Sequence, residues 1–268
     1  MSEKIVSDLP SGGHWTRALD FSPDGKTLYV AVGAGGNAGE GLGQMPQGWA
    51  DSHPLGESWS GEQDRAAVLA FDPDGSHRRI FATGIRNCAG LVVRPGTSDL
   101  YCTTNERDGL GDNLVPDYMT RVSAGSFFGW PWFYLGHNQD PRHPGERQDL
   151  TGKIAVPDLL FESHSAPLGF TFYHAPAGAT HPFPTSFEGA AFVALHGSWN
   201  TSVRTGSKVV MVRLKDGKPV NSYEDFLTGL IIDAKTVGGR PVGVAVGPDG
   251  ALYVSDDGGG KIWRITPQ

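Results

Sequence analysis

The stretch Phe21-Ser-Pro-Asp-Gly25 is a turn motif that leads from an apolar segment into the strand-like run Thr27-Leu-Tyr-Val-Ala-Val32. Proline presets φ in such a turn, aspartate bonds to the local backbone, and glycine tolerates the left-handed conformation. The motif recurs as Phe71-Asp-Pro-Asp-Gly75 and Val246-Gly-Pro-Asp-Gly250, and in a degenerate form as Val93-Arg-Pro-Gly96. Each copy therefore predicts a hairpin between two half-buried strands.

The spacing of these hairpins divides the chain into repeated β units. Grouping the strand-like runs around the turns gives four units, at about 14–82, 84–162, 165–228 and 240–268. Helical periodicity is weak, and the 38 glycines are about twice the usual share. The pattern predicts an all-β chain, a single β-propeller domain built from four-stranded antiparallel blades, with a β-sandwich as the alternative. Segment 4–9 is predicted as a stray outer strand, either of a blade that the chain lacks or of the final unit.

The bulk composition argues against several classes of function. The formal net charge is −7, unlike the basic face of a nucleic-acid-binding protein. No apolar run reaches the length of a membrane span, and the first residues lack the apolar core of a signal peptide. The two cysteines, Cys88 and Cys102, fall on adjacent predicted strands. A disulfide and two buried free thiols are both compatible with that placement.

Several motifs that combine glycine, histidine, arginine and acidic residues follow one another along the chain. In order, they are Ser11-Gly-Gly-His-Trp15, Ala82-Thr-Gly-Ile-Arg-Asn87, Asn105-Glu-Arg-Asp108, Gly111-Asp-Asn-Leu-Val-Pro-Asp117, Phe128-Gly-Trp-Pro131, His164-Ser-Ala-Pro-Leu-Gly169, His196-Gly-Ser-Trp-Asn200, Gly239-Arg-Pro-Val242 and Val254-Ser-Asp-Asp257. Their combination and order resemble the glucose/sorbosone dehydrogenase family, particularly its sorbosone-dehydrogenase-like branch. The resemblance covers nearly the whole chain.

The resemblance implies a quinoprotein with a six-bladed propeller, of which this chain carries about four blades and lacks the first two. It implies pyrroloquinoline quinone and calcium as cofactors, a sugar of the aldose or sorbosone type as substrate, and an external electron acceptor. It also implies a periplasmic or secreted location. The open sheet edges of such an N-terminally truncated propeller are liable to pair, so the chain is expected to close on itself, to form a homo-oligomer or to aggregate.

His14 is the candidate general base. It follows two glycines and precedes a strand, and the free pKa of histidine lies close to working pH. The resemblance places a catalytic histidine here, which takes the proton from a sugar hydroxyl while a hydride leaves for the quinone. A histidine in a surface loop is the alternative.

Arg86, Asn87, Arg240 and His196 are the candidate cofactor-binding residues. Guanidinium groups suit bidentate recognition of carboxylates, and pyrroloquinoline quinone is a tricarboxylate. The resemblance implies that Arg86, Asn87 and Arg240 contact the cofactor, and His196 is expected to face the same mouth of the propeller. Solvated arginines and structural histidines are the alternatives, and His164 has the same two interpretations.

Glu106, Arg107 and Asp108 are the candidate calcium-binding residues. Calcium takes carboxylate and main-chain carbonyl oxygens, and the resemblance implies that the carbonyls of Glu106 and Arg107 bind it, with Asp108 nearby. Glu106 stands where family members usually have glycine, so its side chain would crowd the quinone or add a carboxylate ligand. Asp112 and Asp117 are interpreted as turn residues in preference to ligands.

Two other functions remain open at this level. A calcium-dependent lactonase on a propeller needs no quinone, and a non-catalytic binding or remnant protein would fit the missing blades and the departure at Glu106. The rings of Phe128, Trp130 and Trp132 are expected to pack between blades, although quinones and sugars also stack on such rings. The sequence lacks a dinucleotide fingerprint, a nucleophile elbow and the tight His/Cys spacing of a zinc site.

Overall fold

A computed structural model describes residues 2–267, and its regular structure is almost entirely short strands. The strands are β1 (Leu19–Phe21), β2 (Leu28–Val32), β3 (Ala67–Phe71), β4 (Arg79–Ala82), β5 (Cys88–Val93), β6 (Leu100–Thr104), β7 (Pro116–Val122), β8 (Phe133–Tyr134), β9 (Asn138–Gln139), β10 (Leu159–Ser163), β11 (Pro167–Phe172), β12 (Ala191–Leu195), β13 (Lys208–Val212), β14 (Leu214–Lys215), β15 (Lys218–Pro219), β16 (Glu224–Leu227), β17 (Pro241–Val246), β18 (Leu252–Asp256) and β19 (Lys261–Ile265). The helical elements within residues 2–267 are α1 (Trp49–Ser52) and 3-10 turns at Ser60–Glu62, Gln148–Leu150 and Thr185–Phe187. None of the helices in this range is long and apolar enough to cross a membrane. The prediction of an all-β, antiparallel chain is confirmed.

The Pro-Asp-Gly motifs form the predicted hairpins. Between β1 and β2, Gly25 has a φ of 68° and its N–H donates to the carbonyl of Ser22 at 2.8 Å. Between β3 and β4, Gly75 has a φ of 84° and donates to the carbonyl of Asp72 at 2.9 Å. The two remaining copies join β5 to β6 and β17 to β18. All four predicted hairpins are confirmed.

The described chain divides into two compact units, and the first comprises residues 2–107 and 121–157. Its main sheet is antiparallel with the order β1-β2-β3-β4. The β5–β6 hairpin packs against β1 and β2. Apolar side chains of both layers, including Val68, Ile85 and Leu91, fill a buried core between them.

The second unit comprises residues 108–120 and 158–267. It contains an antiparallel sheet with the order β11-β12-β13-β16, a three-stranded sheet β17-β18-β19, and the hairpin β14–β15. In the same unit, β10 pairs with the first part of β7. β17 packs against β11 and β12, and the core there includes Phe192, Val209 and Leu252.

Segment 4–9 differs from the prediction. No strand covers it within the part of the chain that the structure describes. Instead, Val6 and Leu9 pack against the apolar cluster that contains Leu28 and Leu69, in the first unit. Side-chain packing therefore holds this segment where the sequence predicts sheet pairing. The number of blades and the single propeller domain stay predictions.

A disulfide bond joins Cys88 on β5 to Cys102 on β6, which resolves the two alternatives that the sequence left open. Both residues are buried in the core of the first unit. Strands β5 and β6 are neighbours in the sheet, so the bond adds a covalent link to a hairpin that hydrogen bonds already hold together.

Candidate functional site

His14 is fixed against the loop 33–38 of the first unit. Its main-chain N–H donates to the carbonyl oxygen of Ala34 at 3.0 Å, and its Nδ1 lies 2.7 Å from the same oxygen. A carbonyl oxygen only accepts hydrogen bonds, so this contact places the proton of the neutral ring on Nδ1. Nε2 then carries the lone pair, which is the state that a general base requires.

Glu62 holds the loop that supplies this carbonyl. The carboxylate is buried and accepts hydrogen bonds from the main-chain N–H groups of Gly35 at 2.7 Å and Gly36 at 2.8 Å. Burial raises the pKa of Glu62, and this effect outweighs the two N–H donors, which lower it. The carboxylate fixes the backbone directly after Ala34.

Arg65 holds the segment that leads into His14. Its guanidinium is buried and donates to the carbonyl oxygens of Gly12 at 3.1 Å, Gly33 at 3.2 Å and Ser11. One side chain therefore ties the His14 loop to the neighbouring loop. Sequence reasoning missed both Glu62 and Arg65, because their partners are backbone atoms, which leave no signal in the sequence.

Gly33 allows His14 and Asn87 to lie close to the same backbone position. A Cβ atom at this residue would lie 2.6 Å from Cβ of His14 and 2.6 Å from Oδ1 of Asn87. The same Oδ1 accepts a hydrogen bond from the hydroxyl of Thr16 at 2.5 Å. The structure thus brings together two of the residues that the sequence assigned to one site.

Arg86 is buried and links the loop 33–38 to the residues that follow β6. It donates from Nε to the carbonyl of Asn37 and from Nη2 to Oδ1 of Asn37, both at 3.0 Å. It also donates from Nη1 to the carbonyls of Asn105 at 3.2 Å and Glu106 at 2.9 Å. The guanidinium group of Arg86, which was expected to bind a carboxylate of the cofactor, therefore makes four hydrogen bonds within this protein.

Glu106 and Arg107 form a buried ion pair, with Nε of Arg107 3.0 Å from Oε2 of Glu106. Arg107 also donates to the carbonyls of Pro131 at 2.7 Å and Phe133 at 2.8 Å, and lies 3.2 Å from Asp140. The Glu106 carboxylate is thus engaged by the neighbouring cation. Within residues 2–267, no group of three or more His, Cys, Asp or Glu side chains is arranged to hold a metal ion.

Asp140 is the buried carboxylate that balances this arginine. Burial by itself raises its pKa, but hydrogen bonds from Arg142 and the positive charges of Arg107 and Arg142 lower the pKa to about 2. The side chain is therefore ionised at neutral pH, and the segment around it is held by charge as well as by packing.

Arg240 and His196 lie together in the second unit. Arg240 donates from Nε to the carbonyl of His196 at 3.2 Å and from Nη2 to the carbonyl of Gly197 at 2.6 Å. Nε2 of the His196 ring is 2.9 Å from Oδ1 of Asp257. The structure therefore brings these two of the four predicted cofactor-binding residues together. It adds the carboxylate of Asp257, which lies in a quoted sequence motif but had no role assigned to it.

Asp108 lies beside His164 in the second unit. Its Oδ1 is 3.2 Å from Nδ1 of His164 and accepts a hydrogen bond from Nδ2 of Asn200 at 2.8 Å. Asp112 accepts from the main-chain N–H of Ser202 at 3.2 Å. Each of these acidic residues therefore has structural partners from segments far along the chain, and Asp112 itself lies in a turn, as the sequence predicts.

Asp117 lies on strand β7 and not in the predicted turn. Its carboxylate accepts a hydrogen bond from the main-chain N–H of Ala166 at 2.8 Å. The rings of Phe128, Trp130 and Trp132 are buried. Trp130 donates from Nε1 to the carbonyl of Asn37 at 3.0 Å, so it supports the loop 33–38. Their burial agrees with the packing interpretation, whereas packing between blades stays a prediction.

Known proteins of similar sequence span more than this chain does. An uncharacterized protein of Borreliella burgdorferi is 31% identical over 202 residues, which are 75% of this chain and 52% of that protein. A pyrroloquinoline quinone-dependent pyranose dehydrogenase of Coprinopsis cinerea is 24% identical over 321 residues and matches 97% of this chain but 40% of its own length. The chain thus spans about half the length of the curated relatives that it matches.

Solved structures share the fold. The calcium structure of a Trichoderma reesei enzyme of Carbohydrate-Active Enzymes family AA12 superposes with a TM-score of 0.72, at 17% identity, over 96% of this chain and 69% of that one. The holo form of the pyranose dehydrogenase PQQ domain from Coprinopsis cinerea gives 0.70, at 22% identity, over 98% and 72%. The family model described as TrAA12-like matches residues 135–268, which is half of the sequence. The chain therefore belongs to the TrAA12-like family.

Proposed function

We propose that the chain supplies the base and cofactor-binding residues of a quinoprotein oxidoreductase, which oxidises a sugar of the aldose or sorbosone type with pyrroloquinoline quinone. The observation that carries this proposal is the contact between Nδ1 of His14 and the carbonyl of Ala34 at 2.7 Å. This contact fixes the tautomer that accepts a proton at Nε2. The names of the relatives from Coprinopsis cinerea support the choice of cofactor and substrate class.

The quinone is a tricarboxylate, so the residues must offer cations to its edge. Arg240 uses Nε and Nη2 in hydrogen bonds to backbone carbonyls, and its Nη1 has no hydrogen bond to the residues described. Within the same residues, Nη1 of Arg240 is not one of the polar atoms that are closed off from solvent and lack a hydrogen-bond partner. This cation therefore fits a carboxylate of the quinone. Arg86 already directs four of its five N–H groups to this protein.

His14 performs the proton transfer in this mechanism. When bound, the quinone accepts a hydride from the sugar carbon that carries the reacting hydroxyl. Nε2 of His14 takes the proton of that hydroxyl, and the ring becomes an imidazolium. Nδ1 donates to the carbonyl of Ala34 before and after the transfer, so the ring does not reorient and the carbonyl dipole stabilises the charge.

Calcium does not fit the carbonyl of Glu106 as that group is placed. Nη1 of Arg86 donates to this oxygen at 2.9 Å. A calcium ion bound to the same oxygen would lie beside a guanidinium, and the two positive charges repel each other. No step of the mechanism is therefore routed through the ion. Binding of calcium by Glu106, Arg107 and Asp108 stays a prediction.

Reconstitution tests the proposal. The purified chain is incubated with pyrroloquinoline quinone and calcium, and reduction of an artificial electron acceptor is followed with a panel of aldoses. We expect His14→Ala to lower kcat by about 10²–10⁴-fold, with quinone binding retained in a spectral titration. The matched control is His174→Ala, which removes an exposed histidine that contacts Glu188. Full turnover in His14→Ala refutes the assignment, and lactone hydrolysis without quinone would favour the hydrolase alternative.

A further inference from the structure

The first unit contains a cleft of about 480 Å³, which we call the tryptophan cleft. Its size falls within the range of about 300–1,000 Å³ that is typical of small-molecule sites. None of the residues that line it is among those assigned above to the cofactor or to proton transfer. The residues that define it here are Trp49, Leu55, Glu57, Arg147, Asp149 and Lys153.

Trp49 gives the tryptophan cleft a flat aromatic surface of fixed orientation. Its indole Nε1 donates to the main-chain carbonyl of Glu57 at 3.0 Å. His53 stacks on one face of the ring with the centroids 3.5 Å apart, and Trp59 packs against it at 6.5 Å. Trp49 lines the cleft, and because His53 covers one face of its ring, the ring surface that it offers to the cleft excludes that face. Such a surface suits the C–H face of a ring-shaped ligand.

Arg147 contributes a hydrogen-bond donor that lacks an acceptor. Nε and Nη2 bind Asp149 at 2.9 and 2.8 Å, and the guanidinium carbon lies 4.8 Å from the ring centre of Trp132. The side chain is only 7% exposed. Nη1 is buried and has no hydrogen-bond partner among residues 2–267. A buried unsatisfied donor is costly, so an acceptor that reaches it gains more than a surface contact does.

Glu57 contributes the complementary acceptor. The residue is 4% exposed, and its carboxyl forms no ion pair with the residues described. Burial raises its pKa, and the nearby charge of Asp64 raises it further. The carboxyl also accepts a hydrogen bond from the main-chain N–H of Asp64, and the charges of His53 and Arg78 act on it from nearby. The cleft therefore presents a carboxyl group whose remaining acceptor capacity is opposite in hydrogen-bonding sense to the guanidinium of Arg147.

This mixture of groups selects the chemistry of the ligand. An anion is disfavoured by Glu57 and Asp149, and a simple cation is disfavoured by Arg147 and Lys153 and offers no acceptor to Nη1. A neutral molecule with several hydroxyl groups both donates and accepts, and a pyranose adds an apolar C–H face for Trp49. We propose that the tryptophan cleft is a binding subsite for a pyranose unit of an oligosaccharide or of a polysaccharide chain.

Binding requires one local movement. Because Nη1 is closed off from solvent, the guanidinium of Arg147 must tilt away from Trp132 for a sugar hydroxyl to reach it. Changes of this size in interface side chains are common when ligands bind. The proposed subsite does not rest on the proposed redox function, since it requires neither quinone nor His14.

The test uses the full chain without quinone, titrated with cellotetraose, maltotetraose and xylotetraose by calorimetry and by tryptophan fluorescence. We expect at least one of these to bind, and Trp49→Ala or Arg147→Ala to weaken binding by about tenfold or more. The matched control is Arg213→Ala, which removes an arginine that also pairs with an acidic residue, at 2.7 Å from Glu224. This control is expected to bind the sugar as the wild type does.

Each other outcome overturns the proposal. The proposal fails if none of the three tetrasaccharides binds, or if binding survives both Trp49→Ala and Arg147→Ala. It also fails if sulfate or tetramethylammonium binds more tightly than the sugars. Thermal unfolding is measured for every variant. If Trp49→Ala does not fold, Arg147→Lys replaces it, because lysine keeps the charge but loses the planar fork. Soluble tetrasaccharides and insoluble cellulose, starch or xylan then distinguish a free oligosaccharide from a polymer chain.

Discussion

Replacing Glu62 with alanine tests whether a buried carboxylate positions the base. The substitution removes both hydrogen bonds to the N–H groups of Gly35 and Gly36. Hydrogen bonds to charged groups contribute about 1.5–3 kcal/mol each. Since Gly35 is exposed and Gly36 is half-buried, water replaces part of this loss, and we expect the free energy of unfolding to fall by about 1–3 kcal/mol.

The effect on activity follows from the backbone that these hydrogen bonds hold. Ala34 directly precedes Gly35, and its carbonyl fixes both the backbone and the ring of His14. Displacement of a catalytic group by about 1 Å costs on the order of 10²-fold in rate. We therefore expect Glu62→Ala to lower kcat/KM by about 10–100-fold, while quinone binding is retained.

The pH dependence of stability has a defined sign. The pKa of Glu62 in the folded protein is raised above its ordinary value of 4.5. The stabilisation linked to its titration is therefore fully present below that value and is lost as the pH rises through the folded-state pKa. Glu62→Ala lacks this dependence, so the difference in unfolding free energy from the wild type is largest in acid and shrinks as the pH rises.

The assay combines urea unfolding, turnover and the ¹⁵N chemical shifts of the His14 ring, which report the tautomer even if the chain does not turn over. Glu188→Ala is the control, because that carboxylate also accepts a main-chain N–H, from Ala175 at 2.8 Å, but on an exposed surface. Wild-type turnover together with unchanged His14 shifts in Glu62→Ala would refute the positioning role.

Three further substitutions test the fold around the site. Gly33→Ala places a methyl group 2.6 Å from two side chains of the candidate site, so we expect about tenfold lower kcat/KM. Gly61→Ala is the control and should leave kcat/KM unchanged, because a Cβ atom there meets nothing within 4 Å. Equal activity of the two variants would contradict the steric argument. Asp140→Asn lowers stability by about 3 kcal/mol at neutral pH. This difference in unfolding free energy disappears as the pH falls through 3.8 towards about 2. The reason is that Asp140, with its lowered pKa, stabilises the fold only while its carboxylate is ionised. A difference in urea unfolding that does not depend on pH would disprove this role of the charge. Replacing both Cys88 and Cys102 with alanine opens a covalent loop with a sequence separation of 14, and we expect a loss of about 3 kcal/mol; an unchanged urea midpoint would count against the bond.

The sequence predicts the turns better than it predicts long-range pairing. Each hairpin follows from four or five adjacent residues, because the conformational preferences of proline, aspartate and glycine act locally. Segment 4–9 has the composition of a strand, but whether it pairs depends on a partner edge that the local pattern does not specify. The disulfide was left open for the same reason, since two cysteines on neighbouring strands form a bond only in the right register.

The candidate site was predictable where the side chain itself carries the chemistry. His14 stands out because two glycines precede it and because imidazole titrates near neutrality. Glu62 and Arg65 lie in the long connection between β2 and β3. Their partners are N–H and C=O groups, which every loop possesses. Arg86 was expected to bind a ligand carboxylate, but four of its hydrogen bonds go to this protein. The identity of such partners depends on the fold and has no sequence motif.

This use of arginine has a consequence for how the loops can change. Arg65 anchors its neighbours through peptide carbonyl oxygens. Arg86 and Arg107 also bind peptide carbonyls, and in addition they bind the side chains of Asn37, Glu106 and Asp140. Every amino acid supplies that oxygen, so the anchored segments can exchange their side chains without losing their attachment points. Libraries that randomise these loops while keeping the three arginines, Gly33, Glu106 and Asp140 should retain folded members at high frequency. This part of the chain is therefore a favourable starting point for altering selectivity.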